Sequence, residues 1–159
     1  MTLLVGDKAR FAVEVGEWRG DQLRRVDMWA ADQWLTCDDN TALVPQLHRS
    51  LQAECARVTA IRETPPRFAD LSPDVVHRRL LANDDGLRES WWFLQWGPTT
   101  DNVLAHLFRH GDDLAITAEF WREEHLRLHP EHAETIFVAE LTADELTGIL
   151  RDAAVALMT

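Results

Sequence analysis

A chain of 159 residues with 46% apolar and 27% charged side chains has the composition of a folded globular protein and can bury roughly two-thirds of the surface its unfolded form exposes. The formal net charge of −11 is uneven, because residues 101–159 hold 12 acids against 4 bases. That field opposes nucleic acid and anionic lipid and draws in basic proteins or cations.

No apolar run approaches the roughly 18 residues of a membrane span. The opening Met1-Thr2-Leu3-Leu4-Val5-Gly6-Asp7 reaches a charge too soon for a signal peptide. The expectation is a cytoplasmic protein that is one domain over residues 1–159. Its cysteines, Cys37 and Cys55, are expected to be reduced thiols in buried or half-buried positions.

In chain order, residues 10–18 predict a strand, with Phe11, Val13 and Val15 alternating against Ala12 and Glu14. The polar turn Arg19-Gly20-Asp21-Gln22 leads into a second strand at 23–30, completing a hairpin, and a short strand follows at 34–36. From 40 to about 60, Leu43, Leu47, Leu51, Cys55 and Val58 form a stripe of helical period. Asp39, Asn40 or Thr41 can cap this helix, with Pro45 in its first turn.

The least regular stretch, Arg62-Glu63-Thr64-Pro65-Pro66-Arg67, is too short to separate two domains. Ser72-Pro73-Asp74 opens a short helix to about Asn83. Residues 89–96, with Trp91, Trp92, Phe93, Leu94 and Trp96, predict a central strand covered on both faces. A second hairpin follows at 102–108 and 113–122 around His110-Gly111-Asp112, then a strand at 135–140. The capping box Thr142-Ala143-Asp144-Glu145 starts a C-terminal helix. The class is α+β: an antiparallel sheet of about six strands with helices on one face.

Glycine-rich phosphate loops, G-x-S-x-G elbows and H-E-x-x-H helices are all absent from the sequence, and the chain reads as a non-enzyme without a cofactor. His125 and His129 are four apart and would share a helical face, but zinc needs a third ligand such as His132 or Glu124. Pro130 breaks any helix after His129, so this stretch is expected to be a solvated acidic loop without metal. His106 and His110 are expected on a sheet surface beside a turn. Trp18, Trp29 and Trp121 sit among charges on outer strand faces, and a tryptophan ringed by carboxylates suits a protein interface. The candidate partner-binding residues are therefore Asp112, Asp113, Glu119, Trp121, Glu123 and Glu124, with Trp29.

The segment Val5-Gly6-Asp7-Lys8-Ala9-Arg10-Phe11-Ala12-Val13-Glu14 resembles the start of the immunity protein 42 family of bacterial polymorphic toxin systems. Met28-Trp29, Asp38-Asp39-Asn40-Thr41 and Ile116-Thr117-Ala118-Glu119-Phe120-Trp121 occupy places that correspond to later parts of that family. The resemblance implies an intracellular antidote that binds and blocks the C-terminal domain of a cognate toxin. An acidic surface suits a basic toxin. Gly6, Asp7 and Phe11 would be structural members of the motif. The rival readings are a small metal-dependent hydrolase using His125, His129 and His132, and a non-catalytic subunit of an oligomeric assembly. As an antidote the chain would act as a monomer or homodimer, without nucleic acid or membrane.

Overall fold

The computed structural model describes residues 2–61, 68, 70–83 and 86–159. Its first sheet is antiparallel and contains β1 (Leu3–Asp7), β2 (Phe11–Trp18), β3 (Leu23–Ala30), β4 (Gln33–Trp34) and β5 (Thr41–Leu43). These run in the order β1-β2-β3-β4, with β5 also pairing along β3. Helices α1 (Val44–Ala60) and α2 (Pro73–Ala82) follow. The second sheet has the order β6 (Trp92–Phe93), β7 (Val103–His110), β8 (Asp113–Phe120) and β9 (Phe137–Leu141), all antiparallel. Between β8 and β9 lies α3 (Glu123–Leu128), and α4 (Ala143–Leu157) closes the chain.

The α+β class holds, but the strands divide into two sheets rather than one, and helices lie on both faces of the second. Alternation decides which face each strand buries. Phe11, Val13 and Val15 of β2, with Val26, Met28 and Ala30 of β3, face Leu107, Ile116, Ala118 and Phe120 of the second sheet across a common core. Leu47, Leu51 and Val58 of α1 and Leu146, Leu150 and Ala153 of α4 complete it. On the far face of the second sheet, Phe108 and Ala115 pack beneath Val76 and Leu80 of α2.

The helix starts follow chemistry that is only partly local. Thr142 accepts a hydrogen bond from the Glu145 amide at 3.1 Å, as the capping box requires, but the Glu145 carboxylate turns to Arg10 at 2.7 Å. α1 begins later than its hydrophobic stripe implies, because Thr41–Leu43 pairs with β3, so the N-cap is Leu43, without a side-chain cap. Pro45 then lies in the first turn, where it removes no intrahelical hydrogen bond. α2 matches its expected span, although its Ser72 N-cap makes no side-chain cap.

The expected central strand at 89–96 is a correction. Leu87–Trp91 is a 3-10 helix and only Trp92–Phe93 pairs, at the edge of the second sheet. Density of aromatics, without a period, could not separate these outcomes: Phe93, Leu94 and Trp96 are buried, while Trp91 and Trp92 are half-buried. β1 was not anticipated, since a strand exposed along most of its length carries little alternation. The stretch 62–67 lies outside the described residues.

His106 is also corrected, from a surface position to a fully buried one. Its Nδ1 lies 3.0 Å from His77 Nδ1, and His77 Nδ1 lies 2.8 Å from Thr117 Oγ1. Arg88 Nε donates to His106 Nε2 at 3.3 Å, and Glu119 lies 3.4 Å from His77 Nε2. Burial, followed by the charges of Arg88 and Arg78, pushes His77 down to about 4. Burial, then His77 and Arg88, pushes His106 to about 2.

Both imidazoles are therefore neutral in the fold and take up protons on unfolding at their ordinary value of 6.5. The stability they permit is complete above that pH and is lost progressively as pH falls toward their folded values. Glu119, raised by burial, has the opposite sign and offsets part of this. Urea unfolding followed by tryptophan fluorescence should give a midpoint that declines steadily from pH 6.5 toward 4. A flat profile over that interval contradicts the neutral pair.

Candidate functional site

β8 ends at Phe120, and Trp121 emerges from the sheet with 49% of its surface exposed. The indole is held: its Nε1–H donates to the Asp101 carbonyl at 2.9 Å, and the Arg122 guanidinium sits 5.7 Å from the ring centroid. Glu123 and Glu124 occupy the exposed first turn of α3, where a carboxylate complements the helix dipole. Glu123 pairs with Arg127 at 3.0 Å. Both partners are exposed, so this pair adds little stability and leaves the carboxylate ready to exchange partners.

Beneath α3 the expected solvated loop is replaced by a packed stack of rings. His125 is buried, lies 4.0 Å from the Phe120 centroid at 12°, and stacks on His132 at 5.1 Å and 14°. His129 approaches His125 at 4.8 Å. His125 Nδ1 lies 2.8 Å from Asp38 Oδ2 and 3.8 Å from Cys37 Sγ, and its Nε2 lies 2.8 Å from His132 Nδ1. Asn102 Nδ2 donates to Asp38 Oδ2 at 2.7 Å and to the Leu35 carbonyl at 2.9 Å. Burial, reinforced by the Asp38 charge, pushes the Cys37 thiol up to about 11, so it is protonated at neutral pH and poorly suited as a nucleophile. His132 is held below its ordinary value by burial and then by His125.

The predicted partner-binding residues do not form one patch. Trp121, Glu123 and Glu124 share an end of the molecule with Asp38, Asp101 and Glu131. Asp112 and Asp113 lie at the opposite end of the β7–β8 hairpin, where Gly111 takes the left-handed conformation of the turn (φ 63°). Seven strand steps separate Asp113 from Phe120, or roughly 23 Å. Glu119 is half-buried against His77 rather than presented outward. Trp29 belongs to the first sheet, stacked on Trp34 at 6.1 Å with Lys8 Nζ 4.1 Å above its ring.

Gly6, Asp7 and Phe11 have structural environments. Gly6 has φ 96°, and a Cβ there would meet the Phe11 carbonyl oxygen at 2.4 Å. Asp7 Oδ1 accepts from the Ala9 amide at 2.9 Å, and Phe11 is fully buried.

Sequence reasoning missed two polar constellations. Cys37 and Asp38 meet His125 across sequence separations of 88 and 87, so no local spacing announces them. Asp27 appeared only as the polar half of an alternating strand, yet it is buried. Its Oδ1 accepts from Trp34 Nε1 at 2.8 Å, Asn40 Nδ2 at 2.9 Å and the Thr36 hydroxyl at 3.2 Å, while Oδ2 pairs with Arg25. The Arg25 Nε in turn donates to Glu17 at 2.9 Å.

No family model matches the chain, and no curated protein matches it in sequence. Its fold is similar to the crystal structure of CdiI from Burkholderia dolosa AUO158, with a TM-score of 0.68 over 97% of this chain and 99% of that one, at 12% sequence identity. The likeness is one of fold, and it runs the length of both chains. Among the described residues no helix is long and apolar enough to cross a membrane.

Asp27→Ala would strand three donors and remove the innermost partner of Arg25. Breaking such a buried pair costs roughly 3–5 kcal/mol, and urea denaturation should register a loss of that order without loss of secondary structure. A change below about 1 kcal/mol would mean that the network behaves like an ordinary surface ion pair.

Proposed function

We propose that this chain is an immunity protein that binds a cognate toxin domain inside the cell and neutralises it by occupying a cationic surface of that domain. The observation that carries the reading is the end-to-end likeness of fold to CdiI, an immunity protein of contact-dependent inhibition toxin systems. Membership of the immunity protein 42 family rests on the narrower resemblance of residues 5–14. The chain is then a cytoplasmic binding protein rather than an enzyme, working as a monomer or homodimer.

The docking surface is the end that carries Trp121, Glu123 and Glu124. A fixed, half-exposed indole two and three positions before Glu123 and Glu124 provides an apolar anchor beside a charged rim. The rim attracts Lys and Arg of a basic toxin and speeds encounter, and the indole contributes to slowing dissociation. Asp112, Asp113 and Trp29 lie elsewhere on the molecule and would engage only a partner that wraps around the second hairpin or the first sheet. Glu119 would contribute through the field it adds rather than by direct contact.

Co-expression with the toxin domain encoded beside this chain should restore growth and yield a complex that survives size-exclusion chromatography. Trp121→Ala should weaken binding at least tenfold, chiefly through faster dissociation. Glu123→Lys with Glu124→Lys should slow association and flatten its salt dependence. Lysine at 112 and 113 should have a smaller effect. No rescue and no complex would overturn the immunity reading. Rescue that ignores the changes at 121, 123 and 124 would instead relocate the surface.

A further inference from the structure

We propose that Cys37 Sγ, Asp38 Oδ2 and His125 Nδ1 form a binding site for one zinc ion, with a water molecule in the fourth position. The site is independent of the immunity reading. It is also distinct from the His125, His129 and His132 set that the sequence brings to mind, because two of its three ligands come from the connection between β4 and β5.

The three ligand atoms lie within 4.8 Å of one another. Sγ of Cys37 is 3.8 Å, and Oδ2 of Asp38 is 2.8 Å, from His125 Nδ1. Tetrahedral zinc with ordinary bond lengths sets sulfur and nitrogen about 3.5 Å apart and nitrogen and oxygen about 3.3 Å apart. Shifts of about half an ångström in those two spacings, small against the reach of side-chain rotation, would bring the sulfur and the oxygen to their places around the nitrogen. One thiolate, one imidazole and one carboxylate together favour zinc over magnesium or calcium, which take oxygen ligands.

The surroundings supply what a metal site needs beyond its ligands. His125 Nε2 is 2.8 Å from His132 Nδ1, so the ring can donate its second N–H there while Nδ1 binds metal. Asp38 Oδ2 is steadied by Asn102 Nδ2 at 2.7 Å. Asn102 is 2% exposed, so the amide that steadies Asp38 is itself fixed, with Nδ2 also donating to the Leu35 carbonyl at 2.9 Å. The exposed carboxylates Asp39, Asp101 and Glu131 raise the local concentration of cations.

The proton balance is simple. The carboxylate of Asp38 can only accept, which assigns the metal-free proton of a neutral His125 to Nδ1 and leaves Nε2 to accept from His132 Nδ1–H. On binding, the His125 proton moves from Nδ1 to Nε2, the His132 proton moves from Nδ1 to its own Nε2 so that His132 Nδ1 accepts, both rings stay neutral, and the Cys37 thiol releases one proton to solvent. Affinity should therefore rise with pH. A bound ion would tie the β4–β5 connection to α3.

The test is titration of tag-free, chelator-stripped protein with zinc chloride by calorimetry, and with cobalt chloride as a spectroscopic stand-in. The expected result is one zinc per chain with submicromolar affinity, and a near-ultraviolet thiolate-to-cobalt band. Cys37→Ser should abolish the band, and Asp38→Asn should weaken zinc binding at least tenfold. His132→Gln should weaken it by 10- to 100-fold, the range typical of groups that orient a ligand, without removing the band. Asp38 is exposed, so its variant reads the site even if Cys37→Ser does not fold. Absence of stoichiometric zinc in the wild-type protein would overturn the proposal. So would binding that persists in Cys37→Ser and Asp38→Asn but is lost in His129→Gln, which would place the ion on His129, Glu131 and His132.

Discussion

The two sheets are joined where Phe11 meets Phe93 and Trp96. Phe11 belongs to the first sheet and Phe93 to the second. Their ring centroids lie 5.5 Å apart, Trp96 stands 6.3 Å from Phe11 and 5.3 Å from Phe93, and the rings are tilted or edge-on to one another. Such pairs add about 0.5–1.5 kcal/mol each beyond the area they bury. Their larger effect is geometric, because they fix how one sheet lies against the other. The turn before Phe11 must come close to seat the ring, and only a residue without a side chain at position 6 allows that approach. Val26, Met28 and Ala30 of β3 and Ile116, Ala118 and Phe120 of β8 belong to the same core as this junction.

Around that core the molecule places polar groups inside and pairs them. Asp27 is buried with four donors, His77 and His106 are sealed beneath α2, and His125 is held between Phe120 and Asp38. A buried polar group left unpaired is costly, so each set works only in one arrangement. The set at Asp27 anchors β4 and the approach to α1, the second docks α2, and the third holds α3. This third set gives the exposed end of β8 a rigid base. Trp121, Glu123 and Glu124 are consequently presented from a supported edge rather than from a free loop, an arrangement that would lower the ordering cost of the proposed docking.

Elements with a strong period were legible in the sequence. The two hairpins and α2 lie close to their expected spans, and α4 begins at its expected cap, because alternation, helical spacing and turn residues agreed there. Residues 89–96 misled because a run of tryptophans signals burial without specifying a backbone. β1 escaped because its side chains are largely exposed, and the start of α1 moved because Thr41–Leu43 found a strand partner. Of the residues proposed for docking, Trp121, Glu123 and Glu124 were singled out from composition, and all three are exposed. The burial of His106 and the convergence of Cys37, Asp38 and His125 were not, since each depends on a contact between distant segments. The negative charge of the last third is spread over the β7–β8 turn (Asp112, Asp113), α3 (Glu123, Glu124), β9 (Glu140) and α4 (Asp144, Glu145, Asp152), a dispersal that residue counting cannot detect.

The proposed docking of a toxin domain on the end of the molecule bearing α3 is open to direct measurement. Hydrogen–deuterium exchange, read peptide by peptide on the chain alone and with the toxin domain present, addresses it most directly. Docking there should slow exchange in residues 121–132 and the neighbouring residues 37–39, with the 111–113 turn unchanged. Protection confined to that turn, or to the face of the first sheet around Trp29, would contradict it.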